Sequence, residues 1–343
     1  MLLLISIPAF ARMYGVSCNL CHIAYPKLNN FGENFADNGY YFPGKQEEVY
    51  SDNNDEELNL FNKIPLAVRF MQYLTAEYQK DKNTFVDFKS PYSAKILMGG
   101  AFNQNLNFYS YVIFEKGEPP FFEDAWVDVH NFFGLPLSLT LGQFQIADLM
   151  FLRETRLTQS DFYIYKLSPF PLTYHRGAIL GTPYFDFGVV NGNGIGEGFD
   201  NNPQKWYFTR VPMPFKSGIF ALWGEDYLND KYTKIYRFGF DWRTSYRDFY
   251  PFLQVLVGFD RDTQNLFYGG FFGLDVVKNK FVYSFLFNYV DAPNNSYYYQ
   301  QRLLRGAFRL SYYILRNLKT FAEVEGDAFS NWVILYLGFD YAF

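Results

Sequence analysis

The sequence predicts an all-β protein, a transmembrane barrel of about sixteen antiparallel strands behind a short helical N-terminal segment, and three observations carry that expectation. The first is aromatic content: 41 Phe and 30 Tyr among 343 residues, with charged residues still at 19 %. Neither a water-soluble core nor a bundle of membrane helices uses that mixture. The second is that no uninterrupted apolar run of about 18 residues occurs after position 12, which argues against spanning helices. The third is the last strand. Val333, Leu335, Leu337, Phe339, Tyr341 and Phe343 share one face, while Ile334, Tyr336, Gly338, Asp340 and Ala342 share the other. Lipid outside and a polar lumen inside require that alternation. The net charge of −5 comes without a basic stripe, which excludes nucleic acid as a partner.

Taken in chain order, residues 1–11 read as the end of a secretory signal. Leu2 to Ile7 form a mostly apolar run, and Ala9-Phe10-Ala11 fits the small-x-small cleavage pattern. The charged start of such a signal is missing, so it is expected to begin upstream of Met1. Export places the only two cysteines, Cys18 and Cys21, in the cell envelope.

Residues 12–45 hold the motif with the most chemistry. Cys18-Asn19-Leu20-Cys21-His22 is the C-x-x-C-H pattern of covalent c-type haem attachment. Two thiols separated by two residues can add across the two haem vinyl groups, and the histidine that follows reaches the iron. A structural zinc site needs four ligands, but no second cysteine pair exists and only His130 and His175 remain. A thioredoxin-like pair would sit in a βαβ setting, which the pattern does not offer. The expected cofactor is one covalent haem c held by Cys18 and Cys21, with His22 as proximal iron ligand. Pro26 is expected to open a helix that puts Leu28, Phe31 and Phe35 on one face, and Gly39 to end it. Residues 46–63 are acidic and polar and read as a linker. The haem segment is thus expected to pack against the barrel or plug it.

From 64 to 343 the chain reads as the barrel. Strands are expected near 64–78, 93–102, 105–115, 121–131, 135–143, 175–182, 183–190, 204–212, 217–225, 233–243, 247–259, 265–276, 279–290, 298–313, 316–327 and 331–343. The terminal Phe343 on an apolar strand is like the C-terminal signal of bacterial outer-membrane barrels, so the bacterial outer membrane and its lipid are the expected surroundings. Charges that alternate with the apolar face, such as Arg237, Asp241, Arg305, Arg309, Glu323 and Glu325, belong in the lumen. There they escape a cost of about 2–4 kcal/mol each in lipid, and they are expected to pair. Short turns at 244–246 and 277–278 would face the periplasm, and longer connections at 79–92, 191–203 and 226–232 the outside. Asn191-Gly192-Asn193-Gly194 is a turn, since no helix follows it. The stretch 144–174 breaks the alternation and is expected to fold into the lumen, where it constricts the pore or meets the haem.

Several of these residues together resemble a known family. Phe10-Ala11-Arg12, Gly15, Cys18-x-x-Cys21-His22, Pro26, Leu28, Phe31-Gly32, Phe35 and Gly39-Tyr40 look like the N-terminus of the fused outer-membrane monohaem cytochrome c–porins. Members of that group from iron-oxidising bacteria are thought to take electrons from extracellular Fe(II). The match is detailed over this segment and architectural beyond it, and the chain is shorter than typical members. The resemblance implies an electron conduit between an extracellular donor such as Fe(II) and a periplasmic c-type cytochrome or other carrier. A passive porin with a structural or sensory haem, and outward electron transfer to an extracellular acceptor, remain open beside it. Met150, His130 and His175 are candidates for the distal iron ligand, thioether ligation favouring a high potential. Arg153, Arg156 and Arg176 are candidates to pair with haem propionates, on charge alone.

Overall fold

The structure, a computed structural model, describes residues 9–51, 58–80, 82–115, 117–166, 171–195, 200, 203–228, 231–260, 265–292 and 302–343. The apolar run Leu2 to Ile7 lies outside the described residues. Sixteen antiparallel strands close into one barrel. In chain order they are β1 Leu66–Gln79, β2 Phe85–Ala101, β3 Leu106–Glu115, β4 Phe121–His130, β5 Ser138–Gln145, β6 Tyr174–Gly181, β7 Asp186–Val190 and β8 Trp206–Met213. The second half runs β9 Ser217–Leu228, β10 Lys231–Arg243, β11 Phe249–Asp260, β12 Asn265–Lys278, β13 Phe281–Asp291, β14 Arg302–Leu315, β15 Leu318–Asp327 and β16 Trp332–Ala342. Each strand pairs with its chain neighbours, and β16 closes on β1 with Leu337 opposite Leu74 and Tyr341 opposite Phe70. Closure leaves no sheet edge with unpaired backbone groups, which lipid cannot satisfy.

The period-2 pattern decides what faces where. On β16, Val333, Leu335, Leu337 and Phe339 are 40–50 % exposed, whereas Ile334 and Asp340 are at 4 % and 0 %. An aqueous protein would not leave such a row of apolar side chains outward; a membrane barrel must. The inward charges pair, as expected. Asp340 takes a bidentate Arg69 at 3.0 and 2.7 Å and also Lys319 at 3.2 Å. Arg305 meets Asp327 at 3.0 Å, Arg309 meets Glu323 at 3.3 Å, and Arg210 meets Asp241 at 2.6 Å. Removing one member strands its partners in a dry site, at a cost of about 3–5 kcal/mol. Asp340→Ala leaves both Arg69 and Lys319 without it, so it should lower the temperature at which the barrel's gel mobility shifts from folded to unfolded. Asp340→Asn should lower it less.

Two expected strand limits differ. The charged stretch before Ser90-Pro91 reads as a loop, yet β2 starts at Phe85. Pro91 has no N–H to donate, and it is accommodated where the β1–β2 register shifts between Met71 and Tyr73. Likewise 226–232 reads as a long connection, but backbone pairing runs on to Leu228 opposite Lys231. A hairpin prolonged beyond the bilayer has no need of apolar residues, so polarity there does not mark a turn.

The two ends of the barrel differ. One is closed by short connections at 102–105, 131–137, 182–185, 214–216, 244–248, 279–280 and 316–317. By the usual asymmetry of such barrels this is the periplasmic end. From the other end, the segment after β5 folds into the lumen through short 3-10 turns at Ile146–Leu149, Arg153–Thr155 and Tyr163–Lys166. It touches two unlike walls. Phe151, Phe162, Ile164 and Tyr165 join a buried apolar cluster with Phe252, Leu256, Phe271 and Leu286, and Phe162 stacks on Phe271 at 4.0 Å. Opposite, Glu323 accepts from the Gln159 and Ser160 amides at 2.6 and 2.9 Å, and Lys95 holds Glu154 at 2.7 Å.

Candidate haem-attachment site

The N-terminal segment runs around the inside of the short-turn mouth. Its contacts follow the rim in order. The Arg12 guanidinium bonds the Leu66 carbonyl, Ser17 Oγ accepts from Arg316 at 2.9 Å, and Lys27 pairs with Asp275. Further along, Glu33 meets Lys216 at 3.0 Å and Arg243 at 3.7 Å, and Gly39 lies against Asn107 and His130. The segment then returns to β2, where Gln46 and Tyr50 donate to the Ala101 carbonyl at 3.1 and 2.8 Å. Met13, Tyr14, Phe35 and Val49 form its own small apolar centre. It sits in the mouth as a plug packed on the barrel wall, where the sequence leaves packing against the barrel and plugging it both open.

Cys18–Leu20 is a 3-10 turn, and the Cys21 amide donates to the Cys18 carbonyl at 3.2 Å. Both thiols are unpaired and half-exposed. Burial pushes both thiols up in pKa, with the Arg316 charge opposing it at Cys18. His22–Ala24 and Lys27–Leu28 then form a small antiparallel ribbon. The expected helix begins later than Pro26: it covers Asn30–Asp37, which leaves Leu28 in the ribbon. Asn29 is the reason. Its side-chain oxygen accepts from the Gly32 amide at 2.9 Å, capping the helix, while its side-chain amide donates to the Leu20 carbonyl at 3.0 Å. One residue therefore ties the helix start to the cysteine turn. Gly39, at a φ of 65°, ends the helix as expected.

Helix and turn meet at Gly32. A Cβ there would lie 2.1 Å from the Cys21 carbonyl oxygen, which is backbone and cannot swing aside. Gly32→Ala should cost the segment about 1–3 kcal/mol through overpacking. The expected result is several-fold less covalent haem per barrel at unchanged barrel yield, read by haem stain against protein stain.

The His22 ring is tied to the backbone of Pro26 and Lys27. Nδ1 lies 3.1 Å from the Pro26 carbonyl oxygen, to which it donates, so that in this tautomer Nε2 carries the ring's lone pair. Carbonyl acceptors behind metal-binding imidazoles fix tautomer and orientation in this way. Burial pulls the His22 pKa down, which favours the neutral ring that an iron ligand must be. Tyr25 lies 5.9 Å away, ring to ring, with the Arg69 guanidinium and Lys319 ammonium 5.4 and 5.5 Å from its own ring. The donor types are those a c-type haem uses: two unpaired thiols and, next to them in the chain, an imidazole tied through Nδ1, on a turn braced from behind. Among the described residues, no group of three or more His, Cys, Asp or Glu side chains is arranged to bind a bare metal ion.

The remaining candidates have other partners. Met150 is buried in the apolar lumen cluster, where its sulfur accepts from Gln254 Nε2 at 3.2 Å. His130 sits beside the end of the N-terminal helix rather than at the cysteine turn, with Nε2 2.8 Å from Asp128 Oδ2. His175 has both nitrogens engaged, Nε2 with the Pro171 carbonyl at 3.0 Å and Nδ1 with the Gly194 amide at 3.2 Å. Arg153 and Arg156 both pair with Asp161 inside the lumen. Arg176 is paired across the sheet with Gln143 on β5 and bonds the Ile195 carbonyl, far along the strand from the short-turn rim. Asn29, Gly32 and the Pro26 carbonyl are absent from the sequence-based site. Of these, Asn29 was detectable as a cap residue just before a helix.

No family model matches the chain, and no curated protein matches it either. Solved structures do. An anion-selective porin from Comamonas acidovorans superposes with a TM-score of 0.59 at 8 % identity, over 82 % of this chain and 99 % of the porin. OmpF of Salmonella typhi, in complex with daunomycin, gives 0.57 at 10 % identity, over 82 % and 98 %. A loop-deleted OmpT from Vibrio cholerae gives 0.53 at 11 % identity, over 81 % and 99 %. At such identities the likeness is one of fold. The architecture is that of bacterial outer-membrane barrels, and the outer membrane is where this chain resides.

Proposed function

We propose that this barrel carries one covalent haem c on its periplasmic plug and works in electron transfer at the outer membrane. The reading rests on the Cys18–His22 turn: two unpaired thiols beside an imidazole whose Nδ1 is tied to the Pro26 carbonyl, so that Nε2 carries the ring's lone pair. Haem, when bound, supplies a one-electron couple. The chain's own residues do the rest. Cys18 and Cys21 would tether the group and His22 would ligate its iron, while Asn29 and Gly32 hold the cysteine turn against the helix. The Tyr25 ring lies 5.9 Å from the His22 ring and is itself packed against Arg69 and Lys319, whose charges are balanced by Asp340. The barrel gives this group a fixed place facing periplasmic carriers, a c-type cytochrome among them. Following the family resemblance, the electron source is an extracellular donor, Fe(II) for instance.

The passive-porin alternative has the porin-like barrel in its favour; against it stand the loop folded into the lumen, apolar on one wall and ion-paired on the other, and the N-terminal segment at the mouth. Peroxidase-active haem that stays on the protein after boiling and denaturing electrophoresis tests the cofactor. Stopped-flow mixing with Fe(II), together with the midpoint potential, tests the donor. A strongly negative potential would rule out Fe(II), because electrons would have to move uphill. For the distal position, Met150→Ala and His130→Ala are both expected to leave the low-temperature spectrum of the iron unchanged, since Met150 is engaged by Gln254 and His130 by Asp128.

A further inference from the structure

The short-turn rim is electrically two-faced. Its turns at 102–105, 131–137 and 182–185 contain no charged residue and expose Phe133, Leu135 and Tyr184. The turns at 214–216, 244–248, 279–280 and 316–317, with their flanking strand ends, carry Lys216, Arg243, Arg247, Lys278, Lys280 and Arg316 against the single acid Asp248. The chain as a whole has a net charge of −5, so this arc is a segregation of charge and not a reflection of composition. Lys216 and Arg243 lean on Glu33 of the plug. Arg247, Lys278 and Lys280 are exposed and have no ion-pair partner among the described residues. Arg316 reaches Ser17, the residue next to Cys18.

From this we infer that the basic arc is a docking surface for an acidic periplasmic protein that exchanges electrons at the Cys18–His22 turn. The partner's identity as an electron carrier rests on the proposed function; the docking surface itself does not. Two features favour a protein over anionic lipid. Lipid headgroups meet the whole circumference, whereas the cations occupy one side only. That side is also where the plug presents Cys18. The unpaired Arg247, Lys278 and Lys280, with Arg316 beside them, would steer an acidic face there and raise its association rate by about 10–1,000-fold, an advantage that salt screens away.

The test uses the full chain in phosphatidylcholine nanodiscs and two soluble c-type cytochromes of opposite net charge, with binding read by surface plasmon resonance. The acidic cytochrome should bind at low ionic strength and the basic one should not. Affinity for the acidic one should fall about tenfold or more in the Arg247→Glu, Lys278→Glu, Lys280→Glu triple variant. A milder Lys278→Gln, Lys280→Gln variant should fall between parent and triple variant. Equal binding of both cytochromes, or a triple variant that binds like its parent, overturns the inference. So does a triple variant that loses only its affinity for phosphatidylglycerol vesicles, since the arc would then serve lipid. The Cys18→Ala, Cys21→Ala protein should still bind the acidic cytochrome. A parent protein without haem would therefore end the electron-transfer reading and leave the docking result to be judged alone.

Discussion

Replacing Cys18 and Cys21 together by Ala is expected to abolish covalently retained haem completely, while the barrel still assembles in the membrane. Each substitution removes one half-exposed sulfur, so the packing lost is at most about 1 kcal/mol per site. The plug is held by contacts that do not involve the thiols: Arg12 on Leu66, Glu33 on Lys216, and Gln46 and Tyr50 on Ala101. The folded-barrel gel band should therefore persist as the haem stain disappears. Single variants should keep haem through one thioether, with a shifted absorption maximum from the surviving vinyl group. His22→Ala should keep haem by both thioethers and change its spin state. A double variant that retained stainable haem after boiling would remove the attachment chemistry on which the function rests.

The barrel was legible because period-2 alternation between lipid and lumen is a strong, local signal. Leu335 and Asp340 can be assigned to opposite faces from the sequence alone. Strand ends were less so, because a hairpin that leaves the bilayer, such as 226–232, obeys water rather than lipid. The Cys18–His22 turn was also visible as a motif, since C-x-x-C-H is contiguous. Its bracing was not. Gly32 is needed because a helix from one part of the segment meets a carbonyl from another, and Pro26 matters through a backbone atom that any residue possesses. Choosing propionate candidates by charge could not place Arg176 on its strand, since sign says nothing of height along the barrel. The lumen shows the same limit: Phe162 and Phe271 are far apart in sequence, and only the inward fold of the loop brings them into stacking contact.

The wild-type lumen should pass almost no ion current, and opening it should require two lesions. Plug and loop stand in series, one at the short-turn mouth and one in the lumen, so the tighter one sets the conductance. Deleting residues 9–62 should remove the plug but leave Phe151, Phe162, Ile164 and Tyr165 seated against Phe252 and Phe271. Loosening the loop on its own, by Glu323→Gln with Glu325→Gln, takes charge from the acceptors of the Gln159 and Ser160 amides and of Tyr163 Oη. Charged acceptors make hydrogen bonds worth about 1.5–3 kcal/mol, so this wall of the contact weakens while the aromatic wall stays. With the plug still present the current should remain low. Combined with plug deletion, and with Phe162→Ala to break the stack on Phe271, it should yield stepwise single-channel currents in planar bilayers. Either lesion alone giving porin-sized steps would show that the two barriers do not act in series. A wild-type protein that conducted freely would mean that the loop does not hold its place in the membrane, and the pore reading would then regain the ground that the filled lumen takes from it.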